Sequence, residues 1–129
     1  MSSKMKAVVM DGFGSADVLH LGTVERPAPG DTQVLVQVAA TSVNRPDIVQ
    51  REGNYPPPPG ESDVLGLEIA GTVIELGMDV TDWHLGDRVV ALVGGGGYAE
   101  FAIAYAAHLI RIPESMSFQE AACICETYI

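Results

Sequence analysis

Short runs in which apolar and polar residues alternate, broken repeatedly by glycine and proline, restrict this chain more than any other feature. In "QVLVQVA" (33–39), Val34, Val36 and Val38 fall on one face of an extended chain, with Gln33 and Gln37 on the other. Successive side chains of a strand point to opposite faces, so this period predicts a strand with one side turned to a core. "KAVVM" (6–10), "EIAGTVIEL" (68–76), "RVVALV" (88–93), "YAEFAIA" (98–104) and "HLIRI" (108–112) also read as strands. Turn sequences separate them: "GFGSAD", "PAPGD", "GMDVTD", "HLGD" and "GGGG". Many short strands so punctuated predict a mainly β domain, a partly closed barrel or a sandwich.

Two segments predict helix instead. From Arg45 to Glu52, Asn44 stands at the N-cap position and Pro46 in the first turn. Asp47 there meets the positive end of the peptide dipoles. Further on, "SFQE" (Ser117 to Glu120) is a capping box ahead of "AA". No Gly, Asn or Pro ends that helix before Ile129. A start signal without a stop predicts a segment of something longer. At the other end, Met5 offers an alternative start, with residues 1–4 as a short leader.

Composition narrows the class. With 129 residues, 47% of them apolar, the chain is about one domain with a real core. A net charge of -10 argues against nucleic acid or an anionic membrane as partner, since both need clustered Lys and Arg. No apolar run approaches the ~18 residues of a membrane span. Cys123 and Cys125 are too close to staple a fold, which points to a reducing cytoplasm.

The chemistry-bearing residues are few. His20, His84 and His108 lie in separate segments, and the cysteine pair cannot close a tetrahedral site, so no metal is predicted. Gly94 to Gly97 lack the Lys-Ser/Thr of a phosphate loop and the strand–glycine–helix order of a dinucleotide fingerprint. A hairpin or a close backbone approach is the better reading. Asn44 and Tyr55 remain, in "VNRPDIVQREGNYPPPPG" (43–60). Tyr55 precedes proline and is biased to extended backbone. The run Pro56 to Pro59 favours polyproline II and lowers the entropy cost of presenting the phenol. Each residue also has a structural reading: Asn44 as a helix cap, Tyr55 as a ring lying on its prolines.

"VNRPDIVQREGNYPPPPG", "LGLEIAGTVIELG", "WHLGDRVVAL", "GGGGYAEFAIA" and "RIPESMSFQEAACICET", in that order, resemble the amino-terminal part of zinc-independent, zeta-crystallin-like quinone oxidoreductases. These belong to the medium-chain dehydrogenase/reductase superfamily. The resemblance implies a GroES-like, partly open β-barrel with a few short helices over residues 1–129, truncated before a Rossmann domain that binds NADPH. It implies hydride transfer from nicotinamide to a quinone or an activated carbonyl (an enone, for example), without zinc. In the zinc branch, a ligating Cys stands where this chain has Asn44, and a His-Glu pair where it has Leu67 and Glu68; leucine cannot bind zinc. The residues matching Asn44 and Tyr55 line the cleft beside the nicotinamide, so both are expected in catalysis and cofactor binding, as donors to the carbonyl oxygen or, equally, in a purely positional role against cofactor or substrate. Glu68 is expected to be structural, pairing with Arg88. The family's nicotinamide-contacting threonine lies past Ile129, so Thr127 is not its counterpart, and Cys125 stands where a proline is usual. A homodimer is expected at full length, whereas the chain alone should lack turnover and expose an apolar patch. An enoyl reductase and a non-catalytic GroES-like binding module are the alternatives.

Overall fold

The computed structural model describes residues 3–124. Strands β1 (Lys4–Met10), β2 (Leu19–Glu25), β3 (Gln33–Thr41), β4 (Glu68–Leu76), β5 (Arg88–Leu92), β6 (Phe101–Tyr105) and β7 (Ile110–Arg111) dominate them. Two short helices, α1 (Arg45–Arg51) and α2 (Phe118–Ala121), begin where the capping signals place them. Cys125 and Thr127 lie outside the described residues; Cys123 is exposed and free.

Strands β6, β3, β4, β5 and β7 form, in that order, an antiparallel sheet, and β1 and β2 a separate antiparallel ribbon. Residues 98–100 join the two. Val8 donates to the Tyr98 carbonyl at 2.8 Å and Glu100 to Lys6 at 3.0 Å, while Val38 of β3 donates to Glu100 at 2.8 Å. Ala7 bridges Ala99 at this seam. The result is the partly open barrel expected, two sheets meeting along one seam.

Alternation sorts side chains between two cores. On one face of β4 and β5, Ile69, Val73, Val89 and Ala91 pack with Val34 and Val36. On the other face, Ala70 and Val90 pack with Ile112, Ala121 and Ala122. The small side chains of α2 let it lie close on the sheet. Arg88 fastens it there, donating to the Met116 carbonyl at 2.8 Å with its guanidinium 4.6 Å from the centre of the Phe118 ring. Strand β3 departs from the sequence reading, because Val34, Leu35 and Val36 are all fully buried. It is covered on both sides at its start, and alternation cannot show that. Its ladder with β4 shifts register between Val38 and Ala40. There Gly71 lets the backbones close up: a Cβ on it would stand 2.1 Å from the Gln37 carbonyl oxygen.

Two further strands differ from expectation. β2, "LHLGTVE", lacks a buried face, with Leu21 68% exposed, so the core-seeking pattern passed over it. "HLIRI" contributes only a two-residue strand after a 3-10 turn at Ala106–His108. Among the described residues no helix is long and apolar enough to cross a membrane.

Candidate functional site

The candidate residues belong to the segment that connects β3 to β4, Asn44 near the end of β3 and Tyr55 past α1. Asn44 is the N-cap of α1, with extended backbone (φ -122°, ψ 159°). Its N–H donates to Asp47 Oδ2 at 3.0 Å, and the Asp47 N–H returns a 3.0 Å bond to the Asn44 carbonyl. The Asn44 side chain turns elsewhere. Nδ2 donates to Ser42 Oγ at 3.1 Å, and Ser42 Oγ donates to Glu68 Oε1 at 2.7 Å. Glu68 is fully buried. Its carboxylate oxygen accepts, so the single Ser42 proton is committed to it, and the Ser42 lone pair must take an amide N–H. This order fixes which way the Asn44 carboxamide faces, leaving its second N–H for another partner.

The expected Glu68–Arg88 pair gives way to this arrangement. In the β4–β5 ladder Glu68 faces Leu92, whereas Arg88 faces Thr72. The guanidinium reaches the Met116 and Pro113 carbonyls instead, and Glu68 is tied to the Ser42 hydroxyl.

Asp47 is 2% exposed and serves two donors with one oxygen. Besides Asn44 N–H, Oδ2 accepts the Tyr98 hydroxyl at 2.5 Å. Oδ1 is buried without a hydrogen-bond partner among the described residues. Burial first, and the bond to Asp47 second, hold the Tyr98 phenol well above the usual tyrosine range. Tyr98 is therefore a fixed donor. It follows the glycine run, which lies along residues 64–66: Gly96 N–H donates to Val64 at 2.7 Å, Gly97 to Gly66 at 3.0 Å and Tyr98 to Leu65 at 2.9 Å. Gly66 has φ +109°, and a Cβ there would stand 2.6 Å from the Tyr98 nitrogen. The glycines serve a close backbone approach rather than a hairpin, since β5 pairs with β4 and β7, and β6 with β3.

Tyr55 lies beyond the other end of α1, 38% exposed. It lines a pocket of about 330 Å³ with Met10, Phe13, Gln50, Pro56 and Pro57. Pro56 and Pro57, which follow the ring in sequence, line the same pocket. Asn44 does not line that pocket. The seven residues of α1 rise about 10 Å, so the two candidates stand at opposite ends of one helix. Val43 and Phe13, beside them, are 74% and 69% exposed. Among the described residues no group of three or more His, Cys, Asp or Glu is placed to hold a metal ion.

Residues 30–114 match the family described as "Alcohol dehydrogenase GroES-like domain". The chain belongs to this family. Within the medium-chain dehydrogenase/reductase superfamily, this GroES-like domain is 37% identical over 121 residues to the synaptic vesicle membrane protein VAT-1 homolog-like of Mus musculus, covering 94% of the chain and 29% of that protein. To the quinone oxidoreductase of Lama guanicoe it is 36% identical over 126 residues, covering 96% of the chain and 38% of that enzyme. The crystal structure of Escherichia coli quinone oxidoreductase complexed with NADPH superposes with a TM-score of 0.82 at 29% identity, covering 91% of this chain and 36% of that one. The chain thus spans between a quarter and two fifths of the length of these relatives.

Three residues of the site escaped the sequence reading. Ser42 adjoins the motif but carries no pattern of its own. Asp47 registers there only as a charge favourable to the helix. Tyr98 stands 51 residues away from Asp47, and nothing local announces that pair.

Proposed function

We propose that this domain is the substrate-side part of a zinc-free, NADPH-dependent reductase of quinones or other activated carbonyls, in a protein that also carries a Rossmann cofactor domain and assembles as a homodimer. The Asn44 carboxamide, held in one orientation by Ser42 and buried Glu68, carries this reading. The likeness to quinone oxidoreductases, one of them complexed with NADPH, supports it.

The other domain would hold most of NADPH, which would supply the hydride. The present residues supply what the receiving oxygen needs. Reduction of a carbonyl leaves negative charge on that oxygen, and donors aimed at it stabilise the transition state. One such donor contributes roughly 3 kcal/mol, about a hundredfold in rate. The N–H of Asn44 not bonded to Ser42 is one donor, and its direction is set before substrate arrives. The Tyr55 hydroxyl, presented from the proline-stiffened wall of its pocket, is a donor to a different part of the bound molecules. Their separation along α1 gives them different partners: Asn44 faces the reacting centre, and Tyr55 orients the more distant part of substrate or cofactor. Donor chemistry favours the zinc-free reading, because Leu67 has no ligating atom and a neutral amide is a poor substitute for thiolate. In this reading the exposed Val43 and Phe13 are covered by the cofactor domain.

Kinetics of Asn44→Ala and Tyr55→Phe, measured in the protein with its cofactor domain, test the proposal. Asn44→Ala should lower kcat about a hundredfold with quinones. Tyr55→Phe should lower kcat/KM chiefly through KM, with unchanged circular dichroism for both. Unchanged kinetics with every quinone and enone tried overturns the assignment. Turnover of enoyl thioesters but not quinones makes the enzyme an enoyl reductase.

A further inference from the structure

Strand β3 spans nine residues, about 30 Å, with Asn44 beyond its last residue and Thr32 before its first. At the Thr32 end, remote from the site above, lies a groove of about 480 Å³. Trp83, Tyr105 and His108 line it together with the acidic residues Asp79 and Asp82. Neither Lys nor Arg is among its lining residues. Its walls are fixed in place. The Trp83 indole N–H donates to the Ala106 carbonyl at 3.0 Å, and the Tyr105 and His108 rings meet edge to face at 5.6 Å. Tyr105 nevertheless keeps 44% of its surface exposed.

The indole already acts as a platform for a cation. The Arg111 guanidinium lies 4.9 Å from its ring centre, while Asp87 neutralises that arginine from 3.2 Å. Aromatic faces attract alkylammonium groups through the ring quadrupole, and carboxylates at the edge add a charge of the matching sign. The volume falls within the range of small-molecule sites.

We propose that this groove is a second binding site, specific for a small organic ammonium ion, with its charge at Asp79 and Asp82 and its alkyl groups against Trp83 and Tyr105. Charge complementarity selects the occupant, because a neutral molecule of the same shape gains nothing from the two carboxylates. The site lies outside the reductase machinery, so its test is independent of that reading.

Trp83 is the only tryptophan of the chain, so its fluorescence reports on the groove directly. Choline is titrated against 3,3-dimethylbutan-1-ol, its uncharged isostere, at constant ionic strength, with equilibrium dialysis run in parallel. Choline should bind saturably and the alcohol at least about tenfold more weakly. The Asp79→Asn, Asp82→Asn double variant should weaken choline about fivefold while unfolding at the same temperature as the parent. Equal binding of choline and the alcohol, an undiminished affinity in the double variant, or no uptake of choline up to about 50 mM overturns the proposal.

Discussion

Replacing Asp47 by alanine tests the junction between the Asn44 loop and the glycine run. Oδ2 accepts from Asn44 N–H at 3.0 Å and from the Tyr98 hydroxyl at 2.5 Å, in a side chain 2% exposed. Each charge-assisted bond contributes about 1.5–3 kcal/mol, so losing both costs about 3–6 kcal/mol. Removing the partnerless Oδ1 returns about 1–3 kcal/mol of desolvation. The midpoints of these ranges leave an expected net loss of about 2.5 kcal/mol. Tyr98→Phe removes one bond and should cost about 1.5–3 kcal/mol. Because both variants delete the same contact, the double variant should fall short of their sum by about 1.5 kcal/mol or more. Urea unfolding, with the slope checked for constancy, measures all three.

The same pair fixes a dependence on pH. Burial, and then the bond to Asp47, raise the Tyr98 phenol above its ordinary value of 10.0. A group whose folded value is raised stabilises fully below its unfolded value and loses that contribution as pH climbs towards the folded one. The stability gap between wild type and Tyr98→Phe should accordingly narrow above pH 10. A gap that widens there, or an Asp47→Ala cost under about 0.5 kcal/mol with no coupling to Tyr98, refutes the reasoning.

Much of this was legible from local pattern, and the remainder failed for one physical reason. β4 runs from Glu68 to Leu76, the bounds of its alternating run, because a strand between two apolar layers announces itself. The caps at Asn44 and Ser117 were equally plain, since a cap is a contact within four residues. β2 was passed over because a ribbon stabilised by its ladder with β1 needs no apolar face. The site's tertiary bonds were invisible for the complementary reason. Glu68 was expected to pair with Arg88, yet it accepts from Ser42 across the loop while Arg88 reaches the Met116 carbonyl. Tyr98 meets Asp47 only because glycines at 66 and 97 let two backbones approach closely. Asn44 and Tyr55 were picked out by residue type and proline stiffness, but only coordinates could set them at opposite ends of α1.

Two further outcomes follow from local geometry. Gly66→Ala forces a Cβ to 2.6 Å from the Tyr98 nitrogen at φ +109°, and should cost about 3 kcal/mol in urea unfolding. His20 bonds to Asp11 at 2.8 Å, and that bond raises its pKa above the ordinary 6.5. The stabilisation is complete below the ordinary value and lost as pH rises through the folded one. The ring should titrate above 6.5 by NMR and move downward in Asp11→Asn; an unmoved titration contradicts the contact.

The central proposal is that Asn44, aimed by Ser42 and Glu68, donates to the substrate's carbonyl oxygen without help from zinc. NADPH-driven quinone reduction by the protein with its cofactor domain, followed with and without a strong zinc chelator, tests it most directly. Undiminished turnover under chelation, with about a hundredfold loss of kcat in Asn44→Ala, is the predicted result. Activity abolished by the chelator and restored by zinc, with Asn44→Ala unimpaired, contradicts it.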